Sequence, residues 1–207
     1  MARPRLHQTG DALDAARDLV LDCGPRAAGI RAIARRTGAP TGSLYHRFGS
    51  RDGVVAQAWL RAVRRFQAGL LDALAAEDVH QAMTAGAAWT PVFALAEPAD
   101  ARLLLTHSAS ALLDGDMEPD VAQALRDVNE PIADAIRDLA VRIDAADTSA
   151  RRVPSDHSAT AERVTFAVVD LPYAVVRRQL LAGSLTSATA EALAGAAMAL
   201  VPGGARC

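Results

Sequence analysis

The sequence predicts an all-α protein in which a small helical N-terminal domain precedes a larger helical bundle. Two observations carry this prediction. Apolar residues recur every three or four positions along nearly the whole chain, and alanine is the commonest residue while runs of β-branched residues are short. With 207 residues, of which 51% are hydrophobic, the chain can bury a sizeable core without metal ions or disulfides.

The first predicted helix covers residues 11–23. Its apolar positions fall on one face of a helix with 3.6 residues per turn, and we expect that face to be buried. The residues of this face are Leu13, Ala16, Leu19, Val20 and Cys23. Gly24 followed by Pro25 ends the helix, because glycine accepts the left-handed conformation common after helices and proline cannot continue one.

Two shorter helices, 30–37 and 41–48, are predicted next, with a tight turn over residues 38–40 between them. Gly38 tolerates the left-handed conformation that ends a helix, and Pro40 fixes the entry to the helix that follows. The side chains that we expect to face the core are Ile30, Ile33, Ala34, Leu44 and Phe48.

A longer fourth helix is predicted to begin after Ser50, its N-cap, and to run towards Ala76. Beyond it the periodicity predicts further helices near residues 79–96, 99–113, 119–143, 158–182 and 186–201. We expect Pro131 to bend the helix that contains it. The polar stretch 144–157 contains Pro154 and is predicted to be a loop.

Charge is distributed unevenly along the chain. All 22 cationic side chains are arginine, which favours bidentate contact with phosphate. Residues 1–65 contain 12 arginines and 5 acidic residues, a charge of +7, whereas residues 66–207 contain 10 arginines and 19 acidic residues, a charge of −9. This asymmetry fits a polyanionic partner at the N-terminal end, and it fits equally well solvated helix faces that happen to segregate.

Residues 30–51 have the shape of a helix-turn-helix unit that binds DNA. If Leu44 and Phe48 face the core, the third helix presents short hydrogen-bonding groups, an aromatic hydroxyl and a cation on its outer face. These residues are Thr41, Gly42, Ser43, Tyr45, His46 and Arg47. Gly42 leaves the N-terminus of this helix open, so backbone amides can approach a phosphate or a base edge.

Residues 10–52 resemble the N-terminal DNA-binding domain of the tetracycline-repressor-like (TetR) family of bacterial transcriptional regulators. The specific part is the run TGSLYHRFGSRD at residues 41–52, and the Ile33-Ala34 pair and the turn glycine Gly38 also fit the family pattern. The resemblance implies base contacts from around Thr41, Gly42 and Tyr45. It implies phosphate contacts from Ser43, His46, Arg47 and Arg51.

The resemblance also implies two domains with different functions. Residues 1–52 would be the DNA-binding domain, and residues 53–207 would bind a small-molecule effector and form a homodimer. Such a protein is a regulator, most often a repressor, that binds a palindromic operator in double-stranded DNA and is released by its effector. Gly29, Pro40 and Arg51 depart from the residues usual in the family, so the operator sequence does not carry over.

In the last two predicted helices, 158–182 and 186–201, apolar or small residues cover most of the circumference. Between Thr186 and Val201 the only charged residue is Glu191. A helix of this kind must be buried on more than one side, which predicts a homodimer through about residues 158–201. The alternative is a monomer whose own helices surround the final one.

Five residues are candidates for an effector pocket in the helical bundle. Each could instead be an ordinary core or surface residue: aromatic side chains fill cores, a histidine among leucines is often hydrogen-bonded inside one, and an asparagine often faces solvent. The candidates are Phe66, Trp89, Phe93, His107 and Asn129.

The sequence offers no catalytic, metal or cofactor motif, so we expect no enzyme activity, no metal and no cofactor. No stretch reaches the roughly 18 uncharged residues of a membrane span, and the two cysteines, Cys23 and Cys207, fit a reducing compartment, so a cytoplasmic protein is expected. The alternative function is a helical small-molecule-binding or enzymatic protein whose helix-turn-helix is not used on DNA. Outward-pointing side chains over residues 41–51 would favour the regulator.

Overall fold

The computed structural model describes the backbone of residues 5–112, 115–151 and 157–200, and the side chains of residues 9–111, 115–146 and 157–200. The regular elements in these ranges are all helical, so the predicted all-α class is confirmed. No helix in the part of the chain that is described combines the length and the apolar character needed to cross a membrane.

The α-helices are, in chain order, α1 (Arg5–Cys23), α2 (Ile30–Thr37), α3 (Thr41–Phe48), α4 (Arg51–Leu74), α5 (Val79–Ala96), α6 (Pro98–Thr106), α7 (Ala109–Leu112), α8 (Pro119–Arg126), α9 (Glu130–Arg151), α10 (His157–Thr165), α11 (Leu171–Ala182) and α12 (Ala188–Leu200). A 3₁₀ turn (Pro25–Ala27) follows α1, and a π-helical segment (Phe166–Asp170) connects α10 to α11.

The chain divides into two compact units. Unit 1 comprises Met1–Arg64 and Ala99–Val128, and unit 2 comprises Arg65–Pro98 and Asn129–Cys207. Helix α4 contributes residues to both units. This is a division by packing, and the functional boundary between residues 52 and 53 stays a prediction.

Unit 1 holds two apolar clusters. The first joins α1, α2, α3 and the start of α4, and its largest fully buried side chains include Ile33, Leu44 and Phe48. The second joins the end of α1 and the middle of α4 to α6 and α8, with Trp59 and Leu103 near its centre. The buried aliphatic side chains of α2 and α3 therefore fix the orientation of α3 within unit 1.

The described residues of unit 2 form an apolar core from the end of α4 and from α5, α9, α10, the π-helical segment and α12. Helix α12 packs mainly against α5. Gly86 of α5 allows α4 and the π-helical segment to approach closely, because a Cβ at this position would lie 2.9 Å from Leu74 Cδ2 and 3.3 Å from Val168 Cγ1.

The N-terminal predictions agree closely with the structure. Helices α2 and α3 have the predicted bounds, and the five residues expected to face the core are buried. Ser50 caps α4 as predicted, since its Oγ accepts a hydrogen bond of 2.9 Å from the backbone N–H of Gly53. Helix α1 begins at Arg5, earlier than predicted, and Cys23 is exposed, so its placement on the apolar face was wrong.

The predicted helix 99–113 is two helices, and its last residue lies outside the described residues. Thr106, the last residue of α6, donates its hydroxyl to the Arg102 carbonyl at 2.6 Å. The Ser108 hydroxyl then accepts the N–H of Ala111 at 3.3 Å and starts α7. The Ser108 side chain thus takes the place of a backbone acceptor that a continuous helix would supply.

The predicted helix 119–143, bent at Pro131, was wrong, because the chain breaks between α8 and α9. Asp127 closes α8, with its N–H bonded to the Gln123 carbonyl at 3.0 Å. Pro131 lies in the first turn of α9, where a missing N–H costs nothing, whereas inside a helix it would remove a hydrogen bond and clash with the preceding turn.

The predicted loop 144–157 was wrong over residues 144–151, which continue α9, and at His157, which begins α10. Residues 152–156, including Pro154, lie outside the described residues. Asp144 is buried and accepts a hydrogen bond of 2.7 Å from the Thr160 hydroxyl, so a tertiary contact holds this polar residue inside a helix.

The predicted helix 158–182 contains a wider turn. The N–H of Leu171 bonds the Phe166 carbonyl five residues back, and Pro172, which follows it, has no N–H to donate. The predicted helix 186–201 corresponds to α12, and Val201 and Cys207 lie outside the described residues.

Candidate nucleic-acid interface

Helix α3 has one buried face and one exposed face. Leu44 is 2% exposed and Phe48 1% exposed, which anchors the helix on the first cluster of unit 1. The opposite face presents Tyr45, 49% exposed, together with the exposed residues Gly42, Ser43 and His46. Thr41, at the first position of the helix, is half-buried. The predicted outer face is therefore the exposed one, apart from Thr41 and Arg47, which are half-buried.

The turn before α3 is built from local hydrogen bonds. Gly38 adopts the left-handed conformation, with φ 71°, and donates its N–H to the Ala34 carbonyl at 2.8 Å. Pro40 is extended, and its carbonyl accepts the N–H of Ser43 at 3.0 Å. Pro40 has no side-chain acceptor, so the N-terminus of α3 carries no side-chain cap. The first amides of this helix are available to an anion.

A groove of about 640 Å³ runs along the turn between α2 and α3. Arg31 and Arg35 line it together with Thr41, and both arginines are exposed. They are four residues apart, so they lie on the same face of α2. They were not among the residues predicted to bind DNA, although their spacing indicates a shared helix face.

The remaining arginine of α2 has different neighbours. Arg36 lies 3.6 Å from a carboxylate oxygen of Asp18 and 3.6 Å from one of Asp22, both on α1. Exposed ion pairs of this length contribute little to stability. They nevertheless direct Arg36 towards α1, whereas Arg31 and Arg35 line the groove beside α3.

The two arginines predicted to bind phosphate each have a partner within the chain. Arg47 is half-buried and donates a hydrogen bond of 2.6 Å to the Thr9 hydroxyl on α1. Arg51 is exposed and pairs with its neighbour Asp52, with a distance of 2.7 Å between Nε and Oδ1. The other oxygen of Asp52 accepts the N–H of Asp116 at 3.2 Å, so this carboxylate also holds the segment before α8.

A buried ion pair fixes α1 against α6 within unit 1. Arg17 donates a hydrogen bond of 2.7 Å to Asp100, whose side chain is 1% exposed. Burial alone would lower the pKa of Arg17, but its hydrogen bonds and charge interactions with Asp100 and Asp18 outweigh burial and raise the pKa. Arg17 therefore remains charged in a place where an unpaired charge would be costly.

Three of the five candidate pocket residues lie together in unit 2. The rings of Phe66 and Phe93 pack edge to face with centroids 5.4 Å apart, and the Trp89 ring lies 6.1 Å from Phe93. The Trp89 indole N–H donates to the Phe66 carbonyl at 2.8 Å. A Cβ at Gly69 would overlap the Trp89 ring, so this cluster is closely packed.

The other two candidates lie elsewhere. His107 is in unit 1, where it is half-buried, and its carbonyl accepts the indole N–H of Trp59 at 2.9 Å. Asn129 is exposed, and its carbonyl accepts the N–H of Ala133 at 3.0 Å in the first turn of α9. The pocket role of all five residues stays a prediction.

The helix-turn-helix region matches a known family. Residues 12–58 match the family model described as "Bacterial regulatory proteins, tetR family". The chain carries a TetR-family N-terminal domain. The match includes α2, α3 and the start of α4, so all seven residues predicted to contact DNA lie inside the TetR domain. The matched domain is of the helix-turn-helix type that DNA-binding transcription regulators carry.

Solved structures share this fold over nearly the whole chain. The fatty acid degradation regulator FadR from Bacillus halodurans is 16% identical, with 95% of this chain and 99% of that chain covered and a TM-score of 0.68. A TetR-like transcriptional regulator from Rhodococcus sp. RHA1 is 18% identical, with 98% and 100% covered and a TM-score of 0.66. The superantigen PfiT is 19% identical, with 98% and 100% covered and a TM-score of 0.68.

These identities show a shared fold and nothing finer. The TetR-like fold thus includes the helical region after the N-terminal domain, which the family model does not cover. Comparison with curated proteins gives no match.

Proposed function

We propose that the chain is a ligand-responsive transcriptional repressor that binds a palindromic operator as a homodimer and is released by a small-molecule effector. The observation that carries this proposal is the geometry of α3. Two buried anchors, Leu44 and Phe48, hold the helix so that hydrogen-bonding groups on its other face are exposed, and this helix lies within a TetR domain.

On DNA, α3 enters the major groove. Thr41 and Gly42 contact base edges because they lie in the N-terminal half of the helix, which is the part that reaches bases in helix-turn-helix proteins. Tyr45, one turn further along, contacts a base edge from the exposed face. Ser43, His46, Arg47 and Arg51 contact phosphates. Phosphate contacts position the helix and base contacts supply the specificity.

Arg31 and Arg35 add to the phosphate-binding surface. The first helix of a helix-turn-helix crosses the DNA backbone, and the arginine-lined groove lies where α2 and α3 meet. Arg51 can give up its pairing with Asp52, since an exposed ion pair is worth about 0–1 kcal/mol and a phosphate contact gains from counterion release.

The homodimer forms through about residues 158–201. Within this region Phe166, Tyr173 and Leu181 are 48%, 46% and 62% exposed, although their side chains are large and apolar. A contiguous patch of exposed apolar side chains marks a protein contact surface, and these three residues support an interface in this region. Two copies of α3 must stand about 34–36 Å apart to read successive major grooves, and such a dimer requires an operator with matching two-fold symmetry.

The effector binds among the helices of residues 53–207, with Phe66, Trp89 and Phe93 as candidate wall residues. It weakens DNA binding by preferring the dimer conformation in which the α3 spacing no longer fits the operator. A coupling free energy of about 1–3 kcal/mol is typical of such regulation. No catalytic step belongs to this function, and a DNA-binding role places the protein in the bacterial cytoplasm.

Selection of bound fragments from random DNA duplexes tests this proposal. We expect enrichment of one inverted repeat whose half-sites are separated by a helical turn or a multiple of it. The Tyr45→Ala variant should not enrich the same sequence, and Arg137→Ala, which changes an exposed arginine of unit 2, should do so.

Failure to enrich any sequence in dilute salt would overturn the proposal and favour a helical small-molecule-binding or enzymatic protein. Enrichment of a sequence without two-fold symmetry would contradict the dimer arrangement. A screen of small molecules for release of the selected duplex then tests the effector.

A further inference from the structure

A second site is suggested by a cavity of about 580 Å³ built entirely from residues of unit 1. The end of α1, the 3₁₀ turn, the start of α4 and the residues around α7 surround it. Its volume lies within the range of sites that hold small organic molecules. The aromatic cluster of unit 2 supplies none of its walls.

The charged groups of this cavity favour an anion. Arg26, Arg51 and Asp52 line it, which leaves one excess positive charge. Asp52 is already engaged by Arg51 and by the N–H of Asp116. Arg26 is exposed and has no acidic partner among the described side chains. Arginine presents parallel N–H donors that match the geometry of a carboxylate.

The rest of the lining favours an apolar body on that anion. Val55 is buried, and Pro25 and Ala111 add further apolar surface. His107 contributes a polar edge, and its backbone is held in place by the hydrogen bond from Trp59. An apolar pocket with a few fixed polar groups is the usual composition of a small-molecule site.

We propose that this cavity binds a small organic carboxylate with an apolar body, that Arg26 and Arg51 hold the carboxylate, and that the bound molecule competes with DNA for Arg51. The competition rests on the proposed function, because Arg51 is one of the residues assigned to phosphate. The binding of the carboxylate in the cavity does not depend on the proposed function. A molecule in this cavity would act on the DNA-binding surface directly, through a residue that both ligands need.

Cys23 can report whether the cavity is occupied. It is an exposed residue of the lining, and the chain contains only one other cysteine, Cys207. In the full chain with Cys207→Ser, the rate at which iodoacetamide alkylates Cys23 reports whether the cavity is occupied. Benzoate is the probe, and benzamide, of the same shape without the charge, is its control.

We expect benzoate to slow Cys23 alkylation several-fold and benzamide to leave the rate unchanged. Arg26→Gln should abolish the protection, whereas Arg64→Gln, which removes the charge of an exposed α4 arginine outside the lining, should preserve it. Equal protection by benzamide, loss of protection in both variants, or no protection by benzoate would each overturn the proposed site.

The competition is measured on the selected duplex, or on a random duplex in dilute salt, with benzoate exchanged for chloride at constant ionic strength. We expect benzoate to weaken DNA binding several-fold in the unmodified chain and to have no effect in Arg26→Gln. Unchanged DNA affinity while Cys23 is protected would overturn the competition. Absence of DNA binding without benzoate would instead count against the proposed function, while Cys23 protection would still report on the site.

Discussion

Helices α3 and α12 are each anchored by a few buried side chains, and they differ in what the opposite face presents. Helix α3 is anchored by Leu44 and Phe48, and its exposed face carries hydroxyl and imidazole groups. Helix α12 is anchored by Thr189, Leu193 and Ala197. Its exposed positions, Glu191 apart, are small: Ala188, Ala192, Gly195 and Ala199.

The difference indicates two kinds of partner. Polar groups on α3 can be satisfied by water and exchanged for DNA, whereas an alanine face offers no hydrogen bonds and allows another helix to approach closely. The buried half of each helix therefore fixes its position in the protomer, and the exposed half determines what it binds.

The largest effect should come from an anchor of α3. Phe48→Ala removes a side chain that is 1% exposed, so we expect the free energy of unfolding to fall by about 3–5 kcal/mol in urea denaturation. Tyr45→Ala, on the exposed face of the same helix, should change it by less than about 0.5 kcal/mol. Equal losses in the two variants would contradict the division into anchor and contact faces.

A charge on the exposed face of α12 should act on assembly. Ala192 is exposed in the protomer, so Ala192→Arg should leave its helical content unchanged. Burying the unpaired cation in a homodimer interface would cost about 3 kcal/mol, which sedimentation would record as dissociation into monomers. Ala145→Arg, at an exposed position of α9, is the control and should sediment like the unmodified chain. If the Ala192→Arg variant remains a dimer, α12 is not part of the interface.

Tyr45→Ala should reduce sequence preference as well as affinity. A base contact supplies about 1–3 kcal/mol of discrimination, so binding to the selected operator should fall by more than binding to random DNA. Gel-shift titrations on both duplexes measure the difference. Equal losses on the two would show that Tyr45 reads no base.

Arg47→Ala should weaken binding to all duplexes by a similar factor. Losing one phosphate contact should reduce the slope of log K against log salt by about 0.9. Arg137→Ala, in unit 2, should leave that slope unchanged. The Thr9 hydroxyl competes for Arg47, and an unaltered slope in Arg47→Ala would mean that this contact persists on DNA.

The smallest effects should come from an exposed glycine in each of the two helices. A Cβ at Gly42 or Gly195 would meet nothing within 4 Å in the protomer. Alanine at either position should raise the free energy of unfolding by about 0.5–1 kcal/mol, because glycine loses more backbone entropy in a helix. Gly42→Ala should nevertheless weaken DNA binding, and Gly195→Ala should weaken the dimer. If a variant gains stability while its DNA binding (Gly42→Ala) or its dimerisation (Gly195→Ala) is unchanged, no partner approaches that glycine closely.

Prediction from sequence was accurate where local signals define an element. Helices α2 and α3 had the right bounds because Gly38 and Pro40 set the turn and because two apolar residues one turn apart orient α3. The exposed face of α3 followed from the same pattern. These signals act over a few residues and need no knowledge of distant contacts.

Prediction from sequence was wrong where contacts between distant residues, or the exact position of a proline, determine the structure. Asp144 is polar enough to suggest a loop, yet Thr160 binds it inside α9. Pro131 was expected in the middle of a helix and instead lies in the first turn of α9. The groove lined by Arg31 and Arg35 depends on how α2 packs against α3. The cavity beside Arg26 depends on where α7 lies relative to the end of α1, and no local sequence pattern predicts that placement.

The two tryptophans of the chain are divided between the units, Trp59 in unit 1 and Trp89 in unit 2, and each donates its indole N–H to a backbone carbonyl. Tryptophan fluorescence, excited selectively, consequently has one emitter in each half of the molecule. Replacing either tryptophan by phenylalanine yields a protein whose emission follows the other half alone. Melting curves from the two variants will then tell whether the halves unfold in a single cooperative transition or one after the other.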